Sequence, residues 1–147
     1  MASNVNLPAI LDSLNGTGLD LSGGHDIRVI IVQNTTTCDT EDNIATVDAY
    51  TTLGEDVAAG RKTLASEAIA IDAGNNRVEF DFEDLVFTAL ANAAAPHHGI
   101  LIYRFITDDT DGVPICFIQF SADQSPGGSD FTVAIDAQGA IHFKQGA

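Results

Sequence analysis

Residues Ile100–Ser121 read ILIYRFITDDTDGVPICFIQFS. Ile100–Thr107 is rich in β-branched and aromatic residues, and so is Val113–Ser121; such residues favour a pleated, half-buried surface. Between them Asp108–Gly112 supplies turn chemistry. The stretch therefore predicts two strands joined as a hairpin. Working outward, the same period-two signal recurs on both sides. Ile27–Gln33 (IRVIIVQ) is nearly all apolar, the look of a strand covered on both faces. Leu64–Ile71 alternates Leu64, Ser66, Ala68 and Ala70 against Ala65, Glu67, Ile69 and Ile71. In Arg77–Phe82, Val78, Phe80 and Phe82 face one way, and Glu79, Asp81 and Glu83 line a wet acidic face. Leu85–Leu90 opposes Val86 and Thr88 to Leu85, Phe87 and Ala89. Phe131–Asp136 and Ile141–Lys144 are expected to pair around Ala137–Gly139 as a closing hairpin. In it Phe131, Val133 and Ile135 face the core with Ile141 and Phe143, and His142 faces solvent. About eight strands with little helix predict an all-β antiparallel sandwich, jelly-roll-like in arrangement. Phe80, Phe82, Phe87, Phe105, Phe117, Phe131 and Phe143 are expected in one core or at a tight subunit contact.

Two segments break the pattern. In residues 1–24, Leu7, Ile10, Leu11 and Leu14 fall on one face of a short helix, with Pro8 in its first turn and Gly16 and Gly18 beyond its end. A helix this short is not stable alone in water. The stripe is therefore a candidate partner-binding surface, on an arm hinged at Ser22-Gly23-Gly24 ahead of a β-sandwich domain over 25–147. The second segment, Thr35–Gly60, is long and polar, with only Ile44, Val47, Leu53 and Val57 as apolar markers and a possible short helix near Val47–Leu53. Loops of this length are usually functional or mobile.

The chain has 147 residues, a size that suits one domain. Lys and Arg number 6 against 21 Asp and Glu, a net charge of −15, while mean hydropathy is +0.12. A disordered chain would be poorer in apolar residues. Six scattered cations cannot neutralise a row of phosphates, so neither nucleic acid nor an anionic membrane is an expected partner. Nothing at the N-terminus has the basic and apolar regions of a signal peptide, and no apolar run approaches the length of a membrane span. Synthesis in a cytoplasm is the expectation. Cys38 and Cys116 make no disulfide framework, and Cys116 within VPICFIQF reads as a small buried hydrophobe.

The candidate chemistries fail on spacing. Gly54–Thr63 (GEDVAAGRKT) resembles a phosphate loop, but five residues separate its glycines and Arg61 precedes Lys62. The phosphate cradle requires four, with Lys directly after the second glycine. Asp108, Asp109, Asp111 and Gly112 resemble part of a calcium loop. With Gly112 at the sixth position, Thr107 and Ile118 fall where the first and last ligands belong. His25, His97, His98 and His142 lack zinc-site spacing, and the adjacent His97 and His98 point different ways in an extended chain. No nucleophile motif is present and no carboxylate pair stands out. The residues predict neither catalytic, metal nor cofactor-binding groups.

Four segments in order, DIRVIIV (26–32), RVEFDFEDLVFTAL (77–90), GILIYRF (99–105) and VPICFIQFSADQSPGGSDFTVAIDAQGAIHF (113–143), resemble a family of small virion proteins of tailed bacteriophages. Its members open on an IKVALV strand, continue through FDADDVTFTA and LVIYK, and close on LIAYID…GGDFTV. The chain departs from the family at Ala134, where relatives often carry Trp, and in the longer, more polar Thr35–Gly60. The resemblance implies a non-enzymatic jelly-roll decoration, or cement, protein on the outer surface of a capsid. Its partners would be the major capsid protein and its own copies, with a homotrimer favoured. A tail or fibre component and a carbohydrate-binding jelly roll are the alternatives; the last needs exposed aromatic rings, and the chain has no Trp and only Tyr50 and Tyr103 as tyrosines.

Overall fold

A computed structural model describes residues 3–5, 20, 21, 24–137 and 139–144. The elements are ten strands: β1 (Ser3–Val5), β2 (Ile27–Gln33), β3 (Lys62–Thr63), β4 (Ala68–Asp72), β5 (Arg77–Asp81), β6 (Leu85–Leu90), β7 (His97–Arg104), β8 (Val113–Gln124), β9 (Ser129–Val133) and β10 (Ile141–Lys144). Two single 3-10 turns, Val47–Ala49 and Val57–Ala59, are the helical elements among the described residues. The strands form a five-stranded sheet ordered β1-β8-β7-β2-β3, a three-stranded sheet β10-β5-β4 and a two-stranded sheet β6-β9. Every pair is antiparallel. The chain is all-β, as expected, and sandwich-like.

The five-stranded sheet lies at the centre and is apolar on both faces. One face sends Ile27, Val29, Ile31, Ile100, Ile102, Ile115 and Ile118 against Phe80, Phe82, Leu85, Phe87, Val133 and Ile141 of the smaller sheets. The other sends Ile30, Val32, Leu101, Tyr103 and Phe117 against Cys38, Ile44, Val47, Tyr50 and Leu53. The polar segment 35–60 is thus the cover of the second face. Its side chains supply the hydrogen bonds that a ladder supplies elsewhere. Glu41 accepts from the Thr37 and Thr51 hydroxyls and the Thr51 N–H, and the Thr36 hydroxyl donates to the Leu53 carbonyl at 2.7 Å. Of its four apolar markers, Val57 alone stays out, 79% exposed.

The β7–β8 hairpin forms where expected. Four expectations are corrected. The closing hairpin is absent: β9 pairs with β6 and β10 with β5. These partners place Phe131 opposite Phe87, Val133 opposite Leu85, Ile141 opposite Phe80 and Phe143 opposite Val78, and cross-strand apolar pairs stabilise a sheet more than a short connection does. The chain crosses at Gly139, whose φ of +86° brings its backbone so near Phe80 that a Cβ would lie 2.8 Å from the Phe80 carbonyl oxygen. Second, the strand expected over Leu64–Ile71 begins at Ala68, because Ser66 takes a positive φ of 58°. Third, Ala89 faces outward at a register shift in β6, with φ +49°. Fourth, the phenylalanines do not share one core: Phe105 and Phe117 belong to the second cluster, and Phe143 is 46% exposed.

Candidate functional site

The stripe residues Leu7, Ile10, Leu11 and Leu14 lie outside the described residues, as do Ser22 and Gly23. On either side of the stripe, Ser3–Val5 pairs with Cys116–Ile118 of β8 and Leu21 is buried in the core with Ile27 and Phe80.

The stretch that resembled a phosphate loop holds the molecule together instead. Arg61 clamps Glu55 with two bonds of 2.8 and 2.7 Å and grips Asp109 with both terminal nitrogens; it also donates to the Tyr103 hydroxyl at 3.1 Å. One guanidinium thus ties the 55–61 segment to the β7–β8 turn, a forked geometry that Lys cannot supply. The hydrogen bonds that Arg61 donates to Glu55, then to Asp109, raise its pKa above the ordinary range, and Arg61 in turn lowers that of Asp109. The calcium-like turn is likewise internally satisfied. Asp111 accepts from the Thr107 and Asp108 N–H groups and the Thr107 hydroxyl, and Asp108 accepts from Thr110. No group of three or more His, Cys, Asp or Glu is placed to hold a metal among the described residues.

His97 and His98 diverge as expected. His98 sits at a bulge: Val32 pairs with Gly99 and Gln33 with His97, leaving His98 unmatched on β2. A bulge re-aims a side chain, and His98 stacks on Phe117 while its Nδ1 meets Asp123 at 2.6 Å. His97 points into the interior, fully buried, with Nε2 2.8 Å from Asp56 and Nδ1 without a partner. Asp56 also caps the Val57–Ala59 turn through the Ala58 N–H. Gly99 is required beside this bulge, since a Cβ there would lie 2.5 Å from the Ile118 carbonyl oxygen. Cys38 and Cys116 are free and buried. Burial pushes their thiols up to about 11 and about 12, so neither is an ionised nucleophile at neutral pH.

Hydrogen bonds hold several carboxyls below their usual range: Asp109 through Arg61, Asp111 through Thr107, Glu41 through Thr51, Asp72 through Asn75 and Asp123 through His98. Each has a lower pKa folded than unfolded. Its contribution is complete above the unfolded value, about 4, and is lost as pH falls through the folded one. Relief of self-repulsion as other carboxylates protonate acts the opposite way, but these groups protonate last and lose hydrogen bonds in doing so. The urea midpoint should therefore fall as pH is lowered beneath about 4, and Asp109→Asn should shrink that fall.

The remaining candidates are apolar surfaces. Among the described residues Val57, Ile69, Ile71, Val86, Ile106 and Phe143 are large, apolar and exposed. Register gathers three of them: Ile69 lies opposite Phe80, and Ile71 opposite Val78, which lies opposite Phe143. Ile69, Ile71 and Phe143 therefore share the inner face of the β10-β5-β4 sheet, yet stay exposed there. Strand β4 is an edge, and Ala68–Ile71 are all exposed. The alternation over Leu64–Ile71 carried that signal, but only the fold reveals that Ile69 and Ile71 stay exposed. A cleft of about 280 Å³ lies between β8 and β9, lined by Ile118, Phe120, Phe131, Val133 and Ile135 among others. No helix among the described residues is long and apolar enough to cross a membrane. No known protein family, curated protein or solved structure matches the chain.

Proposed function

We propose that the protein is a non-enzymatic structural protein of a tailed-bacteriophage virion: a jelly-roll decoration, or cement, protein on the outer surface of the capsid. It binds the major capsid protein and its own copies through apolar contacts. The observation that carries this reading is a strongly acidic body, net −15, that leaves Ile69, Ile71 and Phe143 bare on one sheet face. Clustered exposed apolar side chains on a soluble domain mark contact sites. The charge repels packaged DNA, which favours the exterior of a shell over its interior. Three of the six cations are engaged within the domain: Arg28 with Asp26, Arg61 with Glu55 and Asp109, and Arg77 with Asp72 and Glu79. The ordered likeness of segments 26–143 to phage virion proteins supports the same reading. The sugar-binding alternative loses both tyrosines, because Tyr50 is 8% and Tyr103 0% exposed, which leaves Phe143 as the large exposed aromatic ring among the described residues.

The test is labelling of phage particles, purified from the culture that encodes the chain, with gold-conjugated antibody against it. A regular array over the capsid is the expected result. Label confined to tails would transfer the protein to the tail or fibre reading, and unlabelled particles would remove it from the virion.

A further inference from the structure

We infer that β4 is a self-association edge at which two copies pair antiparallel about Ala70, joining their three-stranded sheets into one of six. The inference draws on the same apolar face as the virion reading but does not depend on that reading, since it concerns the protein in solution.

Three observations carry it. First, among the described residues the edge is unprotected. Sheet edges are normally blunted by Lys, Pro, a bulge or a covering loop. Ala68-Ile69-Ala70-Ile71 has no charge and no proline, it pairs with β5 without a register shift, and all four residues are exposed. Second, the register is self-complementary. Pairing about Ala70 sets Ile69 opposite Ile71 of the partner subunit, and Ile71 opposite Ile69 of the partner subunit. Each copy already holds two apolar cross-strand rows, Ile69–Phe80–Ile141 and Ile71–Val78–Phe143. The dyad joins the first row of one copy to the second row of the other. The exposed end of the inner face is then continued by apolar side chains. A shift of one residue would place Ile opposite Ala and send the partner's isoleucines to the wrong face.

Third, the seam carries no charge conflict, although each copy bears −15. On the outer face Ala70 meets Ala70 of the partner subunit. Asp72 meets Ala68 of the partner subunit, and Asp72 is already held by Arg77 at 3.0 Å and Asn75 at 2.6 Å. No like charges stand directly opposite, the arrangement that destabilises a strand pair. The contact is isologous and closes at two copies. It therefore differs from the trimer that the phage resemblance implies.

Sedimentation velocity on the full chain tests this. The expected species is a dimer of twice 15.4 kDa. Ile71→Lys should weaken association at least about tenfold while leaving the far-UV spectrum and melting temperature of dilute protein unchanged, because Ile71 is 80% exposed. In a directly opposed antiparallel pair the Cα atoms are about 4.5–5.5 Å apart, within disulfide reach. Ala70→Cys should therefore oxidise to a covalent dimer, while Val57→Cys, exposed on another segment, should form no disulfide between copies. A monomer at hundreds of micromolar, a trimer, unchanged association of Ile71→Lys, or Ala70→Cys cross-linking no faster than Val57→Cys would each overturn the inference.

Discussion

Phe80→Ala should lower the unfolding free energy by about 3–5 kcal/mol, a drop in melting temperature of roughly 10 °C for a domain of this size. Phe80 is 1% exposed at the middle strand of the β10-β5-β4 sheet, opposite both Ile69 and Ile141, with its ring 5.6 Å from that of Phe82. Its carbonyl also accepts the Ala140 N–H where the chain enters β10. Neighbours on two flanking strands cannot all collapse into the space a benzyl group leaves, so the cavity cost adds to the lost transfer energy. Val86→Ala is the contrast. Val86 sits on the outer face of β6, 47% exposed, and its truncation should cost under about 1 kcal/mol. Urea unfolding at low protein concentration measures both. A Phe80→Ala cost no larger than that of Val86→Ala would mean that the β5–β10 pairing is not part of the core.

That pairing also marks where sequence reading stopped. β2, β7 and β8 were legible because their signal is local: a β-branched run, a turn rich in Asp and Gly, and a second run. The strand after them was legible as a strand but not in its partner. Nearness in sequence favours a hairpin of Phe131–Asp136 with Ile141–Lys144, and the connection is short enough for one. What decides against it is a set of contacts far apart in sequence, Phe131 with Phe87 and Ile141 with Phe80. A strand pattern states which face is apolar and not which strand lies alongside. Segment 35–60 failed for the opposite reason. Its apolar residues have neither a period of two nor of 3.6, because no strand or α-helix carries them, yet Ile44, Val47 and Leu53 with Cys38 and Tyr50 pack over the second sheet face. The near-continuous apolar character of IRVIIVQ had already required such a cover; it did not say that a polar loop would provide it.

The polar interior was the least legible part. His97 drew notice for its neighbour His98, and Asp56 for nothing at all, since a carboxylate and an imidazole far apart in sequence leave no spacing to read. Asp56→Ala should cost about 3 kcal/mol. Asp56 is 7% exposed and makes two side-chain bonds, capping the Ala58 N–H at 3.1 Å and meeting His97 Nε2 at 2.8 Å. Loss of such a cap is typically worth about 1 kcal/mol. The larger share comes from His97, which is fully buried and whose Nδ1 has no hydrogen bond. Without Asp56 both ring nitrogens stand unpartnered in the interior, and a buried polar group stripped of its partner costs about 1–3 kcal/mol. The asymmetry gives a sharper test than the magnitude. Replacing both partners by apolar groups removes the stranded polar atoms, so Asp56→Ala with His97→Leu should cost less than the two single changes added together, with a coupling of about 1–3 kcal/mol. The cap is lost in Asp56→Ala and in the double variant alike and cancels from the cycle. Additivity within about 0.5 kcal/mol would mean that the Asp56–His97 contact does not hold the 55–61 segment to β7, and that the Arg61 clamp together with the bonds to β2, such as Asp56 N–H to the Ile31 carbonyl, fixes that segment.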